Sequence, residues 1–195
     1  MPNQELAALL DLLVRLLLDG RIVVLILLLI SAAIVDVRTH RIPNLLVLWG
    51  AICGVVCTTI WPPVYHGTIA FPLSGLAVGL LLFFPLYLMR AMGAGDVKLL
   101  AMVGTFLGPL DTFYAALASM IAGGMLSIVW VLWHGKTLRM LQNLTALLPL
   151  ELGAVGGSSS GLRIEPSASA GKLPYGVAIA IGTISCLVFH QLGFF

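Results

Sequence analysis

Apolar runs separated by short polar breaks dominate the chain, and the breaks fall where helices would have to end. The pattern predicts helices over 21–36 (extending toward 39), 44–60, 69–89, 97–107, 113–133 and 173–192. Pro43 suits the first turn of the second helix, since its fixed backbone angle favours that position and its missing N–H costs nothing there. Gly50 and Gly54 stand four apart, as do Gly75 and Gly79, and Gly104 and Gly108 share the fourth helix and its end. Such pairs let helices approach closely. Asp111 reads as the cap of the fifth helix. An earlier apolar run, 4–18, breaks at Asp19 and Gly20. At about 15 residues it falls short of the ~20 needed to cross a bilayer, so 1–20 is expected to be an interfacial helix. Glu5 and Asp11 replace the basic start of a cleaved leader.

Composition makes these helices membrane helices. Of the 195 residues 60% are hydrophobic and only 9% charged, with a mean hydropathy of +1.09. Soluble domains carry about 25% charged residues. The expected fold is therefore an all-α polytopic bundle of about six transmembrane helices, residues 21–192, with 134–172 as a long loop. A net charge of +2 is too small to imply a nucleic-acid partner; the bilayer is the expected one. Charge placement orients the bundle. The connections at 37–43, 90–98 and 134–172 hold Arg38, Arg41, Arg90, Lys98, Lys136, Arg139, Arg163 and Lys172, whereas 61–68 and 108–112 hold no Lys or Arg. By the positive-inside rule the first set is cytoplasmic.

Against this background two carboxylates stand out. Asp96 follows Gly93-Ala94-Gly95 and precedes Val97-Lys98 between two apolar runs, and Asp36 ends the first span. An acid inserted in hydrocarbon costs at least about 2.5–3.5 kcal/mol, so it ordinarily marks a polar, functional site. Both acids fall at the cytoplasmic boundary. Two close carboxyls cannot both ionise cheaply, so one can take a proton from water while the other protonates a leaving group. The bland alternative pairs both acids with Arg38, Arg41 and Lys98 at the interface. A metal site has less support, with His40 the one imidazole nearby and no HExxH-type spacing. Cys53 and Cys57 share a helix face but read as packing residues, and Ser158-Ser159-Ser160 reads as flexible loop. No cofactor or metal is expected. Two further readings are a small proton-coupled transporter or channel that uses the acids as a relay, and a non-catalytic assembly subunit in which Asp36 and Asp96 need not meet.

Gly93-Ala94-Gly95-Asp96-Val97-Lys98 resembles the GxGDxK motif of the type IV prepilin peptidases, membrane aspartyl proteases of the GxGD class. Asp36 followed by Ile42-Pro43-Asn44 is similar to the family's first catalytic acid and the start of its next helix. Lys172-Leu173-Pro174-Tyr175-Gly176 resembles its late Pro-aromatic-Gly segment. The resemblance implies Asp36 and Asp96 as the catalytic pair, with Gly93, Gly95, Lys98, Pro43, Asn44, Pro174, Tyr175 and Gly176 supporting them. It implies cleavage of the leader of prepilin-like precursors at the cytoplasmic face of a bacterial inner membrane, with pilus-assembly machinery as a candidate partner. Larger members carry paired CxxC motifs and N-methylate the new terminus. This chain has no CxxC and only a short 37–43 connection, which argues against methylation and resembles the small peptidase-only branch that serves Flp/Tad-type pili. On this reading Asp36 and Asp96 should face each other across a polar pocket.

Overall fold

A computed structural model of the chain describes residues 19–61, 69–89, 91–133 and 175–192. These form helices α1 (Gly20–Thr39), α2 (Asn44–Ile60), α3 (Ala70–Leu88), α4 (Ala94–Leu107), α5 (Pro109–Trp133) and α6 (Tyr175–Gln191). The chain divides into two compact units, 1–123 with 174–195, and 124–173. The first holds the residues of the candidate site; of the second, the end of α5 from Gly124 is described. The expected interfacial helix at 1–20 falls outside the described residues except for its last two positions, and so does the 134–172 loop.

Helix boundaries follow local chemistry. Asp19 caps α1, its Oδ1 accepting the Arg21 backbone N–H at 3.1 Å while its carboxylate also takes the Arg21 guanidinium. Burial works against the Asp19 charge, but the Arg21 side chain outweighs it and holds the carboxyl below the ordinary range. At the other end of α1, His40 adopts a left-handed conformation, φ 49°, and its N–H closes the helix on the Asp36 carbonyl. Pro43 stands one residue ahead of α2 as its extended cap, rather than inside the first turn.

Two expected starts are corrected. Helix α4 begins at Ala94, not 97, so Gly95 and Asp96 lie in its first turn. Gly93 there has φ −78°, an angle open to any residue, so this glycine is not serving a special turn conformation. Helix α5 begins at Pro109, which makes Asp111 a first-turn residue and not the cap. The cause is Gly108, at φ +81°, which reverses the chain early enough for Pro109 to open the helix.

Packing centres on α4. Val97 and every residue from Leu99 to Leu107 are buried, as expected of a helix apolar on all sides. At 14 residues it is about 21 Å long, shorter than a hydrocarbon core of ~30 Å. On one side α3 meets it backbone to backbone. A Cβ on Gly75 would lie 2.0 Å from the Gly104 carbonyl oxygen, and one on Gly104 would lie 2.1 Å from that of Gly75. One turn along, Gly79 sits against Leu100 and Ala101. On another side α2 presents Gly50 to Met102 and Gly54 to Thr105 and Phe106, and Thr58 Oγ1 donates to the Thr105 carbonyl at 2.9 Å. Helix α6 packs on α1 and on α5, where Gly182 lies against the Ser119 backbone.

The outward faces are apolar. Leu45, Leu48, Trp49, Ile52 and Val56 form one exposed stripe along α2, and α1 exposes Leu27, Ile30 and Ile34. Water would not tolerate so continuous a surface, whereas lipid suits it. Helices α1, α3 and α5 are long and apolar enough to cross a membrane, while α2 and α6, with 17 residues each, are shorter apolar helices. The protein is an all-α membrane protein.

Replacing Gly104 by Ala should lower stability in detergent by about 1–3 kcal/mol, because backbone on both sides leaves no room for a methyl group. Gly124→Ala, which meets none of the described residues within 4 Å, should be neutral or mildly stabilising. Thermal unfolding of the two variants side by side checks both.

Candidate active site

Four chain segments meet at one end of the first unit: the last turn of α1, the 40–43 connection, the first turn of α4 and the first turn of α6. Each contributes through a short-range contact. Asp36 is 5% exposed, and its Oδ2 accepts the Gly176 backbone N–H at 2.7 Å. Gly176 lies so close that a Cβ would stand 2.8 Å from that oxygen and 3.1 Å from the Asp36 Cβ. Any side chain at 176 would displace the acid. The expected pocket is therefore closed over Asp36 by the start of α6, because a backbone without a side chain fits directly on the carboxylate.

Asp96 is half-buried and held differently. Its Oδ2 reaches back to the Gly93 N–H at 3.2 Å, the side-chain half of a capping box. A carboxylate in the first turn also faces the positive end of the helix dipole. Gly95 brings the first turn against the 40–43 connection, since a Cβ there would meet the Ile42 Cβ at 3.3 Å. Next to it Lys98 Nζ donates to Asn44 Oδ1 at 3.0 Å, tying α4 to the start of α2. The outcome is that Asp36 and Asp96 lie close enough for their charges to interact.

Among the described residues neither acid forms an ion pair with Arg38, Arg41 or Lys98. Lys98 goes to Asn44 instead. Of the other residues named from sequence, Tyr175 lays its ring along Gly123 of α5, and Pro174 lies outside the described residues. Cys53 and Cys57 place their sulfurs 3.7 Å apart on α2 with no third ligand among the described residues.

Asp111 stands at the opposite end of this unit, 3.8 Å from His190 Nε2 and away from the two acids. Sequence reasoning missed two elements. Ile42 was visible only as part of a motif, although its side chain seats Gly95. The His190–Asp111 pair carries no local signal, because its members lie on different helices with no spacing rule between them.

The comparison with known proteins bears on this arrangement. The chain matches the model of the type IV leader peptidase family over residues 23–128, more than half its length. It belongs to that family. No curated protein and no solved structure matches it. The region matched to the leader peptidases contains both acids, the 40–43 connection and the Gly93–Lys98 motif, but ends before α6. The Gly176 contact with Asp36 thus joins a segment beyond the match to a residue within it.

Gly176→Ala should destabilise the folded protein by about 1–3 kcal/mol through its clash with Asp36. Much of that cost should disappear when Asp36 is also replaced by Ala, since the contacted oxygen and carboxyl carbon are then gone. A double-mutant cycle read by thermal unfolding should show coupling of about 1 kcal/mol or more.

Proposed function

We propose that the protein is a membrane aspartyl endopeptidase that removes the leader of type IV prepilin-like precursors at the cytoplasmic face of a bacterial inner membrane. Membership of the type IV leader peptidases makes it a peptidase with prepilin-like substrates. The observation that carries the finer reading is that the ends of α1, α4 and α6 which hold Asp36, Asp96 and Gly176 gather at one end of the first unit, within range of the two acids' charges. Two carboxyls whose charges interact can supply a complete route for hydrolysis. One takes a proton from water as the water oxygen bonds to the scissile carbonyl carbon. The other gives a proton to the amide nitrogen as the C–N bond breaks, which restores a shared proton for the next cycle. Gly176 N–H orients Asp36 and Gly93 N–H orients Asp96.

The basic residues beside the site support the cytoplasmic assignment. Arg38 and Arg41 flank the turn after Asp36, and Lys98 follows Asp96. The short 40–43 connection and the absence of CxxC support the peptidase-only, Flp/Tad-type branch. Substrate has to reach a carboxylate that Gly176 covers, so binding should move the start of α6.

Membranes containing the protein should shorten a prepilin precursor, detected as a mobility shift with a new N-terminus after the leader. Asp36→Asn and Asp96→Asn should each lower that rate by about 10²- to 10⁴-fold or more while leaving insertion intact. Asp111→Asn should cleave at close to the normal rate. A transporter or a non-catalytic assembly subunit would leave the precursor uncut in every case.

The pH–rate profile should have two limbs, one for each required protonation state, and both belong to the pair. Single-turnover cleavage across the pH range would show this; a flat profile would remove the two-acid mechanism.

A further inference from the structure

The first turn of α6 rests on two neighbours, and a glycine lies at each contact. On the α1 side Gly176 covers Asp36 and gives its N–H to Oδ2 at 2.7 Å. On the α5 side the Tyr175 ring lies on Gly123, where a Cβ would stand 2.9 Å from the ring and 3.5 Å from the Ala178 Cβ. One partner of each contact has no side chain, so the turn can lift without withdrawing a side chain from a socket. Further along, Gly182 seats α6 on the Ser119 backbone, and Thr183, Cys186 and Leu187 are buried. The helix is thus anchored beyond its first turn.

The other segments at the site lack this freedom. Helix α4 is buried on all sides, its backbone touches α3 at Gly104, and Thr58 bonds its Thr105 carbonyl. At the end of α1 the Thr39 hydroxyl lies 2.9 Å from both the Val35 and the Arg41 carbonyl oxygens, which fastens the turn into the short 40–43 connection. Electrostatics favours the closed position of α6. The first N–H groups of a helix have no partner within it and carry its positive end. Asp36 supplies an acceptor from another helix to one of them. At 5% exposure, and with Oδ2 so engaged, the acid has no room to take up a water and a peptide together.

We propose that the first turn of α6 is an autoinhibitory latch. In the free enzyme Gly176 holds and covers Asp36; precursor binding lifts the turn and releases the carboxylate. The proposal rests on the peptidase reading and adds that the resting enzyme is held off by its own helix. Gly176 is on this account a positioning residue of the free enzyme. A donor required throughout the reaction would have to stay in place.

The test locks the turn. In the full chain, with Cys53, Cys57 and Cys186 replaced by Ala, Gly123→Cys is combined with Ala178→Cys. The 3.5 Å Cβ separation lies within the disulfide range of about 3.5–4.5 Å. The oxidised protein should cut the precursor at least about tenfold more slowly than the reduced one, and reduction should restore the rate. Equal rates in the two forms would overturn the latch. A second measurement needs no cleavage: labelling of the carboxyls by a hydrophobic carbodiimide, read by peptide mass spectrometry. Gly176→Ala should label Asp36 about tenfold faster than the parent does, with Asp111 at the far end unchanged. Unchanged Asp36 labelling, or an equal rise at Asp111, would overturn the latch. If no form cuts the precursor, the peptidase reading fails, and the labelling still decides whether α6 lifts from Asp36.

Discussion

The contact between Gly75 and Gly104 is the constraint on which the first unit depends. With no side chain on either residue, the α3 and α4 backbones touch, and each glycine would meet the other's carbonyl if it carried a Cβ. In a bilayer, where apolar side chains gain little by leaving lipid for protein, this kind of close packing is what holds helices together. It lets α4, too short to span the core alone, sit at the centre of the unit with α2 and α3 against it. The depth of α4 in turn sets where its first turn ends up, and that turn carries Asp96.

Around that turn the site is assembled by contacts that each need a small residue or a free backbone group. Gly95 lets Ile42 close on α4, Gly176 lets α6 close on Asp36, and Gly93 offers its N–H to Asp96. Lys98, which sequence alone could have given to an acid, is used to hold Asn44. The two carboxylates are thus left within range of each other's charge and without an ion pair to Arg38, Arg41 or Lys98 among the described residues, a costly arrangement in a purely structural role and a useful one for moving protons.

The two ends of the unit follow opposite electrostatic logic. At the acid end, each carboxylate accepts a backbone N–H from a glycine. At the far end, Asp19 is neutralised by a neighbour two residues on, while Asp111 stands 3.8 Å from His190 Nε2. A chain with only 9% charged residues can place few of them by accident, so both ends are informative about what approaches them.

Much of this was legible without coordinates. Hydropathy alone determined the helices, because each must satisfy its own backbone in lipid and so appears as an uninterrupted apolar run. The glycine pairs and the two acids were legible for the same reason: a small residue or a charge is conspicuous against leucine. The family likeness came from short motifs whose residues are neighbours in sequence. Boundaries were less legible. The start of α4 at Ala94 and of α5 at Pro109 depended on Gly93 and Gly108 acting as helix ends, which local composition does not separate from helix interior. What only the tertiary structure decided is who meets whom: Gly75 with Gly104, Lys98 with Asn44, Gly176 with Asp36, Asp111 with His190. Those partners lie far apart along the chain, and packing, which depends on the shape of whole helices, leaves no periodic trace by which one residue could announce the other.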